Sequence, residues 1–324
     1  MTKQTTAIVF PGQGSQIVGM GKDIYDNFKV AKDVFNEVDE ILSQKLSKII
    51  FEGPAEELTK TQNTQPALMA VSIALTRVLE NEFGQKLTDL ANFTAGHSLG
   101  EYSALCAAGS ISLSQTAKLL QIRGNSMAAC GEKTTGSMAA ILGVEIDVAQ
   151  QIVNEARGSD ILQIANDNSV GQIVISGSKT AIARALEIAK AKGAKRAIEL
   201  PVSGAFHSDL MKDAEAKMQE ALAAVEFKTP QIPLIANVTA SEVSKPEEIK
   251  SLLVQQITGS VRWRETMLYL ESKGIKQIIE IGSGKVLSGL VSRTCKEMSS
   301  TSIQNLADIK NLFGSSSQNE TLRS

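Results

Sequence analysis

Apolar residues along this chain fall into two kinds of run, some short and continuous, others spaced at helical intervals. Thr5 to Phe10 is a continuous run of strand length, and it empties into Pro11-Gly12-Gln13-Gly14-Ser15-Gln16, a loop dense in small residues and backbone donors. From Thr64-Gln65-Pro66 to about Glu82, Leu68, Val71, Leu75, Val78 and Leu79 keep core spacing. This predicts a long amphipathic helix with Pro66 near its first turn. A strand is expected from about Leu90 to Ala95, then a helix over Glu101 to Ala108 stopped at Gly109. Ser112, with Gln115 three residues on, has the form of a capping box and opens a helix carrying Leu119, Leu120 and Arg123 towards Cys130.

The rhythm changes at Gly136. Strand Ser137 to Leu142, helix Asp147 to Arg157, strands Ile161 to Ala165 and Gln172 to Ser176, helix Thr180 to Lys192 and strand Lys195 to Leu200 follow in turn. That order is β-α-β-β-α-β, a ferredoxin-like arrangement. It closes at Pro201, after which helix Asp209 to Ala224, strand Pro233 to Ala236, helices Pro246 to Ile257 and Val261 to Lys273, and strand Lys276 to Ile281 resume. Gly282-Ser283-Gly284 then turns into a further helix. Alternating strands and helices predict an α/β fold with a mainly parallel sheet covered on both faces. The expected partition is a discontinuous large domain, residues 1–131 and 204–310, with a small domain, 132–203, inserted in it. Residues 311–324 read as a polar, flexible tail. A cleft between the domains would be the natural place for a ligand.

Composition narrows the class. The chain has 324 residues, 43% hydrophobic and 21% charged, enough for a sizeable core. A formal charge of -2 and no Lys/Arg block argue against nucleic acid as a partner. The N-terminus has one lysine before a four-residue apolar run and lacks a secretory core, and no apolar run reaches membrane-spanning length. Cys106, Cys130 and Cys295 are odd in number and widely spaced, so neither disulfides nor a metal site is indicated, and a reducing cytoplasm is expected.

Gly96-His97-Ser98-Leu99-Gly100 follows one of the expected strands and precedes one of the expected helices, the context of a G-x-S-x-G nucleophile elbow. Taken alone, the pentapeptide fits a reactive serine and a serine N-cap equally well. The chain holds only two histidines, His97 and His207. His97 adjoins the serine on the strand side, where successive side chains point apart, so His207 in Gly204-Ala205-Phe206-His207-Ser208 is the better general base. No third, acidic member can be assigned from sequence.

Together, Phe10-Pro11-Gly12-Gln13-Gly14-Ser15-Gln16, Gly96 to Tyr102, Arg123-Gly124 and Gly204 to Ser208 resemble the malonyl-CoA:acyl carrier protein transacylase family, over roughly residues 5 to 305. The resemblance implies an α/β-hydrolase-like large domain and a two-step, ping-pong exchange on Ser98, with His207 taking and returning the proton. It implies an oxyanion hole from the backbone N–H groups of Gln13 and Leu99, and a clamp on the free malonyl carboxylate at Arg123. It assigns the orientation of His207 to the main-chain carbonyl of Gln256, and it puts Asn166 and Asn168, in the turn between two small-domain strands, along the cleft near the substrate arm. Phe206 resembles the bulky residue that restricts branched acyl groups. Malonyl-CoA and holo acyl carrier protein are the implied partners, the CoA thioester being substrate rather than cofactor, and a monomer is expected. A serine esterase or thioesterase would use the same Ser98 and His207 with little need for Arg123, and an acyltransferase for a related acyl-CoA would differ by as little as one methyl group. A non-catalytic carrier-protein docking module would have no use for the three together.

Overall fold

Thr6–Phe10 forms β1, and all five of its side chains are buried. The computed structural model describes residues 5–314. In chain order the other strands are β2 (Phe93–Gly96), β3 (Gly136–Leu142), β4 (Leu162–Ser169), β5 (Gln172–Ser178), β6 (Arg196–Glu199), β7 (Leu234–Ala236), β8 (Ser241–Val243), β9 (Gln277–Ile281) and β10 (Ser299–Ile303). They make two sheets, one ordered β10-β9-β1-β2-β7-β8 and the other β4-β5-β3-β6. In the larger sheet every pairing is parallel except β7 with β8. The smaller sheet is antiparallel throughout.

β1 illustrates why a parallel strand reads as one apolar run. Ile8 and Phe10 face a large core that includes Leu68 and Leu75 of the helix Thr61–Glu82. Ala7 and Val9 face the opposite one, with Trp263, Met267 and Leu287. The smaller sheet has its own core, in which Ile141, Ile173 and Ile175 pack on Ile152 and Ile182 of the helices Ile146–Arg157 and Lys179–Ala191.

Several expectations shift. The helix expected to open around Thr64-Gln65-Pro66 begins at Thr61, so Pro66 lies inside it, and it is buried nearly all round rather than amphipathic. Its early start is held by tertiary bonds: the Asn63 side-chain amide donates to the Glu57 carbonyl at 2.8 Å, and the Thr64 hydroxyl bonds the Leu58 carbonyl. Leu90 belongs to a single helical turn, Leu87–Leu90, which buries both leucines, and β2 starts at Phe93. The capping box is present in full: the Ser112 hydroxyl accepts from the Gln115 N–H and the Gln115 side chain accepts from the Ser112 N–H. Residues 311–313, assigned to the tail, continue the helix Leu306–Phe313, while 315–324 lie outside the described residues. Among the described residues no helix is long and apolar enough to cross a membrane.

Candidate active site

The loop after β1 and the turn after β2 both leave the C-terminal ends of adjacent parallel strands, the usual location of ligand sites in open α/β sheets. The turn is tight because two glycines let backbones touch. A Cβ on Gly96 would overlap the Gly100 carbonyl, and one on Gly100 would strike the Phe10 carbonyl oxygen. Ser98 occupies the bend at φ 54, a left-handed conformation costly for a residue with a side chain. Asn237, just beyond β7, braces it: its Oδ1 accepts from the Ser98 N–H at 2.8 Å and its Nδ2 donates to the Gly96 carbonyl at 2.7 Å.

His207 also has a positive φ, 57, and the structure brings it from far along the chain to face Ser98. Its Nε2 lies 2.9 Å from Ser98 Oγ. Its Nδ1 faces two carbonyl oxygens, of Gln256 at 2.8 Å and Gly259 at 3.1 Å. Two acceptors require the proton on Nδ1, which leaves Nε2 free to accept from the serine hydroxyl. Burial, and then the Arg123 charge, push the His207 pKa down to about 3, against the two carbonyl bonds. The ring is therefore a neutral base. His97 serves otherwise: its Nε2 meets Asn168 Oδ1 at 2.8 Å and its ring packs 5.5 Å from that of Trp263.

Arg123 is only 1% exposed, on the helix Leu113–Lys133. Its guanidinium donates to Gln65 Oε1 at 2.8 Å, Ser98 Oγ at 3.1 Å and Gln256 Oε1 at 2.8 Å. All three acceptors are uncharged, the Nε–H has no partner, and no carboxylate among the described residues pairs with it directly. A buried cation with only neutral partners is costly unless an anion arrives. Gly124 lets this helix approach the helix Thr61–Glu82, since a Cβ there would lie 2.7 Å from Gln62 Cα.

These groups open onto a cavity of about 220 Å³ lined also by Gln13, Leu99, Asn166, Asn168 and Phe206. Among the described residues neither the Gln13 nor the Leu99 backbone N–H is engaged by another group. Asn166 and Asn168 lie within β4 rather than in a turn, because β4 runs on to Ser169 and the reversal comes at Val170 and Gly171. Pairing with β5 is irregular there but continues to Ser169, and Asn166 also makes an isolated bridge to Val261. Gln256 does not line the cavity but sits behind it. Three polar residues of this site escaped the sequence reading: Gln65, Glu101 and Asn237. Gln65 was visible only as part of a helix start, and Asn237 could have been suspected from its place at the C-terminal end of an expected strand.

The model of the acyl transferase domain family matches residues 7–320. A malonyl CoA-acyl carrier protein transacylase of Bacillus subtilis is 46% identical over 298 residues, 92% of each chain. The crystal structure of an acyl-carrier-protein S-malonyltransferase from Bartonella henselae superposes with a TM-score of 0.91 at 52% identity, covering 95% of this chain and 98% of that one. A malonyl-transacylase solved in complex with its type II PKS acyl-carrier protein has a TM-score of 0.91 at 39% identity, covering 95% and 98%. Agreement along the whole length, at the level of both sequence and fold, identifies the chain as an acyltransferase that belongs to the malonyl CoA-acyl carrier protein transacylases.

Proposed function

We propose that the protein moves a malonyl group from malonyl-CoA to the phosphopantetheine thiol of acyl carrier protein through a malonyl ester on Ser98, supplying extender units for fatty acid synthesis. The observation that carries this reading is the pair Arg123 and Ser98, a buried guanidinium with no carboxylate partner among the described residues, 3.1 Å from the hydroxyl bound to His207. A malonyl thioester has an acyl carbon for the serine and a free carboxylate for the arginine, which a planar fork binds through two parallel bonds.

In the first step the Ser98 hydroxyl attacks the thioester carbon and passes its proton to His207 Nε2. The developing oxyanion is met by the N–H groups of Gln13 and Leu99. Collapse expels the CoA thiolate, which takes the proton from His207. The carrier thiol then gives its proton to His207, attacks the ester, and Ser98 is restored by the reverse sequence. The Gln256 carbonyl keeps the His207 ring in the required tautomer, so no acidic third member is needed. A malonyl carboxylate on Arg123 offsets one of the effects that depress His207, so the base strengthens when the right substrate is bound.

Phe206 at the cavity wall supports a preference for unbranched malonyl, and Asn166 and Asn168 at the same wall support contacts with the substrate arm, Asn168 being shared with His97. We read residues 1–131 and 204–310 as an α/β-hydrolase-like catalytic domain. The antiparallel sheet within 132–203 is read as an inserted ferredoxin-like domain, supported by its order β4-β5-β3-β6. The three cysteines are free, with Cys130 and Cys295 buried, which suits a reducing cytoplasm. The reaction as written uses no cofactor or metal and asks only for a monomer.

Partitioning of the acyl group tests the reading. With malonyl-CoA and holo acyl carrier protein present, initial-rate plots should be parallel and product should accumulate on the carrier. Malonate released to water faster than malonyl reaches the carrier would make the protein a thioesterase instead.

A further inference from the structure

We propose that Glu101, three residues beyond the nucleophile, is a positioning residue that locks the side-chain amide of Gln256 in one orientation and so holds Arg123 ready for a substrate carboxylate. The inference rests on the reading of Arg123 as the carboxylate clamp.

Glu101 stands in the first turn of the helix Gly100–Ala107 and is 1% exposed. Neither it nor Gln256 borders the cavity, so neither touches substrate. Glu101 Oε2 accepts from Gln256 Nε2 at 2.6 Å and from the Asn237 N–H at 3.3 Å. The same Nε2 donates to the Ser98 carbonyl at 3.0 Å and reaches Asn237 Oδ1 at 3.3 Å, while Gln256 Oε1 accepts from Arg123 at 2.8 Å.

A primary amide can exchange its oxygen and nitrogen by a half turn, and only its surroundings choose between the two states. Here one end faces a guanidinium, which only donates, and the other faces a carboxylate, which accepts. Only one orientation satisfies both. The flipped amide would present its NH2 to Arg123 and its oxygen to Glu101, opposing like dipoles at both ends of a buried site. In its ionised form the carboxylate also supplies the negative charge that the guanidinium lacks among its direct partners. Burial raises the Glu101 pKa to about 7, opposed by the bonds from Gln256 and Asn237 and by the Arg123 charge. Two protein-facing functions thus meet in Gln256: its carbonyl holds His207, and its amide, set by Glu101, holds Arg123. Glu101 reaches the nucleophile as well, since the Asn237 residue it binds accepts from the Ser98 N–H.

The test compares malonyl and acetyl transfer in wild type, Glu101→Gln, Arg123→Ala and the double variant, with thermal melting as the check on folding. Glu101→Gln keeps the shape and removes the charge. It should lower the malonyl-to-acetyl ratio of kcat/KM by about tenfold, mostly through the malonyl-CoA KM, and should add nothing to Arg123→Ala, because the two act on one interaction. A ratio that survives Glu101→Gln but collapses in Arg123→Ala overturns the positioning role. A ratio that survives Arg123→Ala overturns the clamp itself, and with it this inference. Should Glu101→Gln fold poorly, Glu101→Asp reads the same link, since it keeps the charge and draws it back from the Gln256 amide: loss of the ratio supports the lock, and retention overturns it.

Discussion

A hydroxyl, a neutral imidazole and a guanidinium line one cavity, and each changes the others' chemistry. Arg123 lies 3.1 Å from Ser98 Oγ and depresses the His207 pKa, so the unliganded site holds a weak base beside a positive charge. Arg123→Ala should therefore separate two effects. Malonyl transfer should fall roughly 10- to 100-fold, the worth of a charge-assisted pair, while acetyl transfer falls much less, as read from kcat/KM for the two thioesters. Equal losses would make Arg123 a packing residue. At this scale the sequence was informative about residues with unusual chemistry and nearly blind to their supports. Ser98 and the preference for His207 over His97 could be proposed from the elbow motif and the two histidines, and Arg123 only from the family resemblance; the structure brings the three side chains together. Glu101, although it stood within a quoted motif, had no visible partner: the amide it binds is 155 residues away. Gln65 and Asn237 were hidden for the same reason, since a neutral side chain announces nothing until a fold brings it to a charge.

Among elements, the elbow is the one whose conformation the chemistry demands. Its glycines are required by contact between backbones, and the clash at Gly96 involves the Gly100 main chain, which has no side chain to move aside. Gly96→Ala should cost about 3 kcal/mol or more in chemical denaturation and should reduce soluble yield. A shift of less than about 1 kcal/mol would mean that the turn tolerates a wider path. Elements bounded by strong local signals were legible: the capping box at Ser112 and the glycine stop at Gly109 are where local chemistry puts them. Others were decided by tertiary contacts. The helix Thr61–Glu82 starts before its proline because side chains of Asn63 and Thr64 bond carbonyls of the preceding helix. β10, Ser-Ser-Thr-Ser-Ile, lacks an apolar pattern and exists as an edge strand on β9, which no periodicity could signal.

For the molecule as a whole, the proposed site lies where residues from both sheets meet. Among the links that join β4 to the large layer are Asn168 to His97 at 2.8 Å, the Asn166 bridge to Val261, the buried Asp167 carboxylate paired with Arg264 at 2.9 Å, and the Asp209 N–H donating to Gln163 Oε1 at 2.6 Å. The alternation of strands and helices announced both sheets, but not that β4 would also bridge Val261 of the large layer. Stability should carry the imprint of the site as well. His207 has a native pKa near 3 against 6.5 for the ordinary group, so between those values the unfolded chain binds a proton that the native protein does not. Its contribution is fully present above pH 6.5 and is lost as pH falls, by up to about 1.4 kcal/mol per pH unit. Glu101, with its pKa raised to about 7, acts in the opposite sense between 4.5 and 7, so the comparison must be made against a variant that keeps it. Denaturant midpoints of wild type and His207→Gln, followed from pH 6.5 to 4, should show the variant losing less stability. Parallel curves would contradict a buried neutral His207.

The central claim is a malonyl ester on Ser98, and intact-protein mass spectrometry tests it most directly. Mixed with malonyl-CoA, the protein should gain the mass of one malonyl group, localised to the peptide containing Ser98, and holo acyl carrier protein should remove it. Wild type that gains no such mass, or a Ser98→Ala variant that gains it equally, would contradict the account.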